Sequence, residues 1–194
     1  MGPTYMTDHA EHPELFEAIE AGDGARVAQI VADDPPAASA RNPAGLSAVL
    51  AAMYRHRRDL VDVLLAGAPE LDVFDAAAVG DVDRLSELLD GDPSRATAYS
   101  NDGFFPLALA AYFAQPDAVR VILERGADVG ATTRNAMALQ PLLAAAHGDD
   151  EIVDFLLTHG GQVDLAGEDG RDPATMAEDG GHADLAARLR NLSP

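Results

Sequence analysis

A stretch of this chain returns 58 residues later without a gap, and that echo restricts the possible folds more than any single residue does. Leu15-Phe16-Glu17-Ala18 comes back as Val73-Phe74-Asp75-Ala76, Gly22-Asp23 as Gly80-Asp81, and Gly45 as Gly103. The register holds through Tyr54 and Tyr112 to Val61-Asp62-Val63-Leu64-Leu65 against Val119-Arg120-Val121-Ile122-Leu123. Such self-similarity marks a stack of supersecondary units, none of which can bury its apolar face alone.

Inside the duplicated block, Leu15, Phe16 and Ile19 form one apolar stripe at helical spacing and Val27, Ile30 and Val31 a second. Gly22-Asp23 stands between them. This predicts a helix hairpin in which glycine ends the first helix and a short turn folds the second back. Helices of this length are marginal in isolation and depend on their neighbours. The pattern recurs six times, starting near Pro13, Ser47, Leu71, Phe105, Gln140 and Asp172. The corresponding pairs cover about 13–41, 42–70, 71–99, 100–133, 134–166 and 167–192, in one domain over 13–192 preceded by a disordered tail, 1–12. Polar residues on the first pair (Glu14, Glu17, Glu20) and on the last (Asp184, Arg188, Arg190) suit the two ends of a complete stack.

Phe105-Pro106-Leu107-Ala108-Leu109-Ala110-Ala111 and Gln140-Pro141-Leu142-Leu143-Ala144-Ala145-Ala146 resemble the Thr-Pro-Leu-His-x-Ala-Ala pattern of ankyrin repeats. Leu123-Glu124-Arg125-Gly126-Ala127-Asp128-Val129 resembles the ending of that repeat, and Gly181-His182 its Gly-His turn. Tyr99-Ser100-Asn101-Asp102-Gly103-Phe104 and Arg134-Asn135-Ala136-Met137 are similar to a bacterial branch of the family. The resemblance implies an all-α solenoid of about six stacked helix pairs with short β-hairpin or loop fingers. It also implies a concave face that binds protein partners. The chain departs from the family where Leu50, Ala108, Leu143 and Thr175 replace the histidine of its hydrogen-bonded latch. Ser47 and Asp172 are then the only good side-chain caps expected at the first-helix starts. Only seven residues separate Leu65 from Val73, so one finger is expected to be missing there, leaving a notch; Leu123 to Leu142 leaves room for a projecting hairpin.

At 194 residues and 47% apolar, the chain can bury a core. It has no cysteine, which removes disulfides, thiolate catalysis and cysteine-ligated zinc, and fits a reducing compartment such as the cytoplasm. No apolar run approaches the roughly 20 residues needed to span a bilayer. The N-terminus lacks the regions of a secretory signal. Met6 stands where myristoylation needs Ser or Thr after Gly2, and the residues before Met6 read as a leader. The formal charge is −20 and all 13 basic residues are arginine. Such a field repels nucleic acid and anionic lipid and attracts basic partners, although acidic surface also serves solubility alone. Richness in alanine, arginine, glycine and proline points to a GC-rich, bacterial source.

No nucleophile elbow, phosphate loop, dinucleotide fingerprint or calcium-loop spacing is present, and no catalytic residue, metal ligand or cofactor is assigned. His9-Ala10-Glu11-His12 lies in the tail without a third anchored ligand. In His147-Gly148-Asp149-Asp150 the acids suit a helix N-terminus. The basic run Arg55-His56-Arg57-Arg58 is most simply neutralised by Asp59 and Asp62, with Asp81 and Asp83 as further acids. Partner-binding candidates are side chains at first-helix ends and finger tips: Tyr54, Arg55, Phe104, Tyr112, Phe113, Arg134, Asn135, Met137 and Arg171. Aromatic and arginine side chains anchor interfaces because they bury large area or form forked hydrogen bonds. The expected function is a non-catalytic protein-interaction module or scaffold, monomeric or weakly homo-oligomeric. The alternatives are a small-molecule or catalytic pocket in the groove, using carboxylates with His56 or His147, and a homo-oligomeric scaffold.

Overall fold

The computed structural model describes residues 12–146, 149–167 and 169–193. The expected tail lies outside the described residues except for His12, as do His9 and His147. The chain forms two compact units, 1–71 and 72–194.

The first unit holds α1 (Pro13–Ala21), α2 (Gly24–Asp33), α3 (Ala48–Tyr54) and α4 (Arg58–Ala66). The second holds α5 (Val73–Val79), α6 (Val82–Gly91), α7 (Pro106–Tyr112), α8 (Pro116–Glu124), α9 (Pro141–Ala145), α10 (Asp150–Thr158), α11 (Pro173–Asp179) and α12 (Ala183–Leu192). Within each unit, first helices pack on first helices and second on second: α1 on α3 and α2 on α4, then α5 on α7 on α9 on α11, and α6 on α8 on α10. First helices are short and alanine-rich, with Ala52, Ala76, Ala77, Ala108 and Ala110 at 0% exposure, so neighbouring backbones approach closely. Leu15, Ile19, Leu60 and Leu64 fill the first core, and Leu85, Leu107, Leu109, Ile122, Ile152 and Leu156 the second.

The turn inside the first four pairs and the last is built the same way. Its last N–H reaches back to a carbonyl in the first helix: Asp23 to Ala18, Arg57 to Ala52, Asp81 to Ala76, Gln115 to Ala110 and His182 to Ala177, over 2.8–3.1 Å. This closure needs a left-handed residue. Gly22 (φ 68°) and Gly80 (φ 77°) supply it in the first and third pairs, whereas His56 (φ 53°) and Ala114 (φ 54°) adopt it with a β-carbon in the second and fourth. A β-carbon there is strained by about 1–2 kcal/mol, part of which glycine returns as extra freedom of the unfolded chain. Ala114→Gly is therefore expected to stabilise the protein by up to about 1 kcal/mol, seen as a higher denaturation midpoint. An unchanged or lower midpoint contradicts the strain.

Two expectations are corrected. The β-hairpin fingers do not form: no β-strand occurs among the described residues, and the nearest approach is an isolated bridge between Arg41 and Ser47. The connections are instead turns closed by side-chain oxygens. Asn42 Oδ1 accepts from the N–H groups of Ala44 and Leu46, both at 3.0 Å, and Ser100 Oγ from Phe104 at 3.0 Å. Thr133 Oγ1 accepts from Leu139 at 2.8 Å, and Asp169 Oδ1 from Arg171 at 3.0 Å. Such local bonds compete with a strand ladder. In the first finger pairing stops at the single bridge, because α3 begins at Ala48, the residue after Ser47, whose Oγ caps the helix through Leu50 N–H at 3.0 Å. Where a longer hairpin had room, between α8 and α9, Asp128 and Thr133 divide the chain into two successive turns.

The second correction concerns caps. Ser47 and Asp172 do cap α3 and α11, but Asp72 also caps α5, in a reciprocal box with Asp75. Asp75 is only 1% exposed. The link from α4 to α5 contains no hairpin, and Glu70 N–H donates to Ser39 Oγ at 2.8 Å.

Candidate partner-binding face

In the second unit the fingers are bolted to one another. Arg134 N–H donates to Gly103 O at 2.7 Å, Asn135 Nδ2 to Asp102 O at 3.0 Å, and Tyr99 OH to Thr132 O at 3.1 Å. The Arg134 guanidinium lies 3.7 Å from the Tyr99 ring centre, a cation–π geometry. Tyr99 in turn leans on Phe105, with ring centres 5.5 Å apart. Asn135 is the hub of its turn, because its Oδ1 also accepts from Met137 N–H at 3.1 Å and from Thr133 Oγ1 at 3.0 Å.

The sequence-derived candidates divide by burial. Phe104 is only 6% exposed and its ring meets that of Tyr112 at 6.5 Å, so it supports Tyr112 from behind. Tyr112 and Phe113 are half-buried and meet edge to face at 5.0 Å. Asn135 is half-buried, while Arg134, Met137 and Arg171 are exposed, Met137 at 45%. Tyr112, Met137 and Arg171 come together around a hollow of about 330 Å³, lined also by Leu139, Leu143, Asp169 and Met176. Leu139, Leu143 and Met176 are not among the sequence-derived binding candidates; apolar residues at helix starts and turns read as core, and Leu143 stands out only at the latch position. Asp169 receives Arg171 Nε at 2.7 Å, and the guanidinium also reaches Asp179 at 3.3 Å. Hydrogen bonding to Arg171 holds the Asp169 carboxyl below the usual carboxylate range and raises Arg171.

The first unit has its own hollow of about 360 Å³, bounded by Phe16, Glu20, Leu46, Tyr54 and Arg55. Tyr54 is half-buried, and exposed Arg55 lies 4.0 Å from Glu20. Of the basic run, Arg57 forms a forked pair with Asp59 at 2.8 and 2.7 Å, which lowers the aspartate and raises the arginine. Arg58 reaches the Met53 sulfur at 3.9 Å.

The second helices carry arginine staples. Arg125 joins Asp90 of α6 at 3.0 Å, Arg120 joins Glu151 of α10 at 3.4 Å while lying over Phe155, and Arg188 joins Asp154 of α10 at 3.0 Å. As the sequence suggested, Asp149 caps α10 through Ile152 N–H at 3.0 Å. Among the described residues no group of three or more His, Cys, Asp or Glu is placed to hold a metal, and no helix is long and apolar enough to cross a membrane.

Repeated helix pairs that stack like with like, joined by closed turns, define a helical repeat protein. Residues 102–134, which contain α7, α8 and the bolted finger, match the Ankyrin repeat family. The chain is 31% identical over 124 residues to the rat Ankyrin repeat and SAM domain-containing protein 6, covering 60% of this chain and 14% of that protein. It is 39% identical over 98 residues to the rice Probable E3 ubiquitin-protein ligase XBOS31, covering 48% and 21%. It is 30% identical over 116 residues to the Ankyrin repeat, SAM and basic leucine zipper domain-containing protein 1 of Nomascus leucogenys, covering 58% and 24%. Residues 102–134 are thus similar to an ankyrin repeat, and the chain spans less than a quarter of the length of these animal and plant relatives.

Proposed function

We propose that this chain is a non-catalytic interaction module that binds a protein partner on the face that first helices and finger turns make within a unit. In the second unit the contact residues are Tyr112, Phe113, Arg134, Met137 and Arg171, with Phe104 and Asn135 holding them in place. In the first unit they are Tyr54 and Arg55. The observation that supports this reading is Met137, a large apolar side chain 45% exposed on a turn pinned by Asn135, beside a hollow lined by leucine and methionine. A rigid turn that presents apolar surface is suited to association. The absence of cysteine supports a reducing compartment such as the cytoplasm. The −20 charge argues against nucleic acid and anionic membranes as partners. The arginine-only basic complement supports a bacterial source, and a monomeric or weakly self-associating state completes the reading.

A photo-crosslinking residue placed at Met137 tests the binding face against the same residue placed at Glu124, which is exposed at the end of α8. Adducts to a protein partner in the source cell are expected from position 137 and not from 124. Adducts from 124 alone, or none above background from 137, reject this face.

A further inference from the structure

We propose that the hollow of the second unit receives a bulky apolar side chain from a basic peptide segment of the partner, a refinement that rests on the binding face described above. Leu143, Leu139 and Met176 are 3%, 7% and 6% exposed, so the inner lining is apolar and packed, whereas Met137 at its edge is 45% exposed, unbranched and polarisable. The volume of about 330 Å³ suits one side chain with its adjoining backbone better than a whole structural element. An apolar anchor gains by leaving water there, about 1.5–3 kcal/mol for a fully buried leucine, methionine or phenylalanine.

Charge selects what flanks the anchor. At the edge of the hollow one guanidinium, Arg171, serves two carboxylates, Asp169 at 2.6 Å and Asp179 at 3.3 Å, so this corner is net negative. Elsewhere in the second unit, among the described residues, each arginine except Arg134 is paired with a carboxylate. Arg134 itself lies on the Tyr99 ring. An acidic peptide therefore meets carboxylates in excess and few available guanidinium groups, while a basic one is drawn in by the field of a chain carrying −20.

Selection of random short peptides displayed on phage against the full chain tests this. The expected result is enrichment of Lys or Arg around a Leu, Met or Phe, with affinity falling as salt is raised. Met137→Asn should weaken the selected peptides about tenfold, the effect of losing an anchor contact. The exposure of Met137 makes that variant compatible with folding, and an unchanged circular dichroism spectrum verifies it. Peptides weakened by Met137→Asn but without basic enrichment overturn the charge requirement and leave the binding face standing. Basic peptides indifferent to Met137→Asn overturn the hollow as their site. Failure to enrich any peptide overturns the peptide-anchor proposal, whereas the crosslink from position 137 judges the face independently.

Discussion

Leu107→Ala is expected to lower the unfolding free energy by about 2–5 kcal/mol, the range for deleting a fully buried leucine side chain. Leu107 is 0% exposed in α7, a seven-residue helix whose residues are all buried except Tyr112. That helix packs against α5, α8 and α9, so it lies at the centre of the second unit's core. Its other residues are largely alanine, which lets the backbones come close but leaves Leu107 and Leu109 to fill the space. Collapse around the truncated side chain is resisted because the flanking helices are already at contact distance. Denaturant titration measures the change, and Leu107→Met, which nearly conserves volume, should cost less than about 1.5 kcal/mol. A Leu107→Ala loss no larger than that of Leu107→Met would show that α7 does not form the second unit's core.

Gly103→Ala is the second large effect, expected to cost more than the roughly 1–3 kcal/mol of a strained backbone residue. Gly103 sits at φ 81°, and a β-carbon there would lie 2.6 Å from the Arg134 carbonyl oxygen and 3.1 Å from the Asn135 nitrogen. Both opposing groups are backbone, which cannot swing aside as a side-chain end does. Relief requires moving the turn that Arg134 N–H fastens to Gly103 O, and with it the Asn135 contacts that position Met137. Gly170→Ala separates the two contributions, since φ there is 77° but nothing lies within 4 Å of the added carbon. Thermal melts should show Gly103→Ala clearly the more damaging of the two. Equal losses would assign the whole effect to φ and dismiss the contact with Arg134.

The helix pairs were legible because the duplicated register carries its own punctuation. Gly22-Asp23 and Gly80-Asp81 end one helix and begin the next, and both aspartates cap the helices they precede. The resemblance implies hairpin fingers, but the local residues specify something else. Asn42, Ser100, Thr133 and Asp169 each follow a helix pair at the point where a side-chain oxygen can take a nearby N–H, and that chemistry specifies a closed turn. The cap on α5 was equally available, since Asp72 and Asp75 have the three-residue spacing of a reciprocal box. Burial of Phe104 was not available. An aromatic residue in a turn is equally suited to solvent or core, and its position beneath Tyr112 depends on how successive turns pack.

The glycines of the helix turns have a wider bearing on how such an array can be altered. Gly22 is covered by the side chain of Arg57, and Gly80 by that of Gln115, again 58 positions apart in the covering residue as in the covered one. A β-carbon at either glycine would push aside the side-chain end supplied by the following pair. Each of these pairs is thus finished by a residue it does not itself contain. Modules exchanged between arrays will keep this cover only when cut so that glycine and covering residue travel together, which makes two consecutive pairs, and not one, the smallest part that carries it.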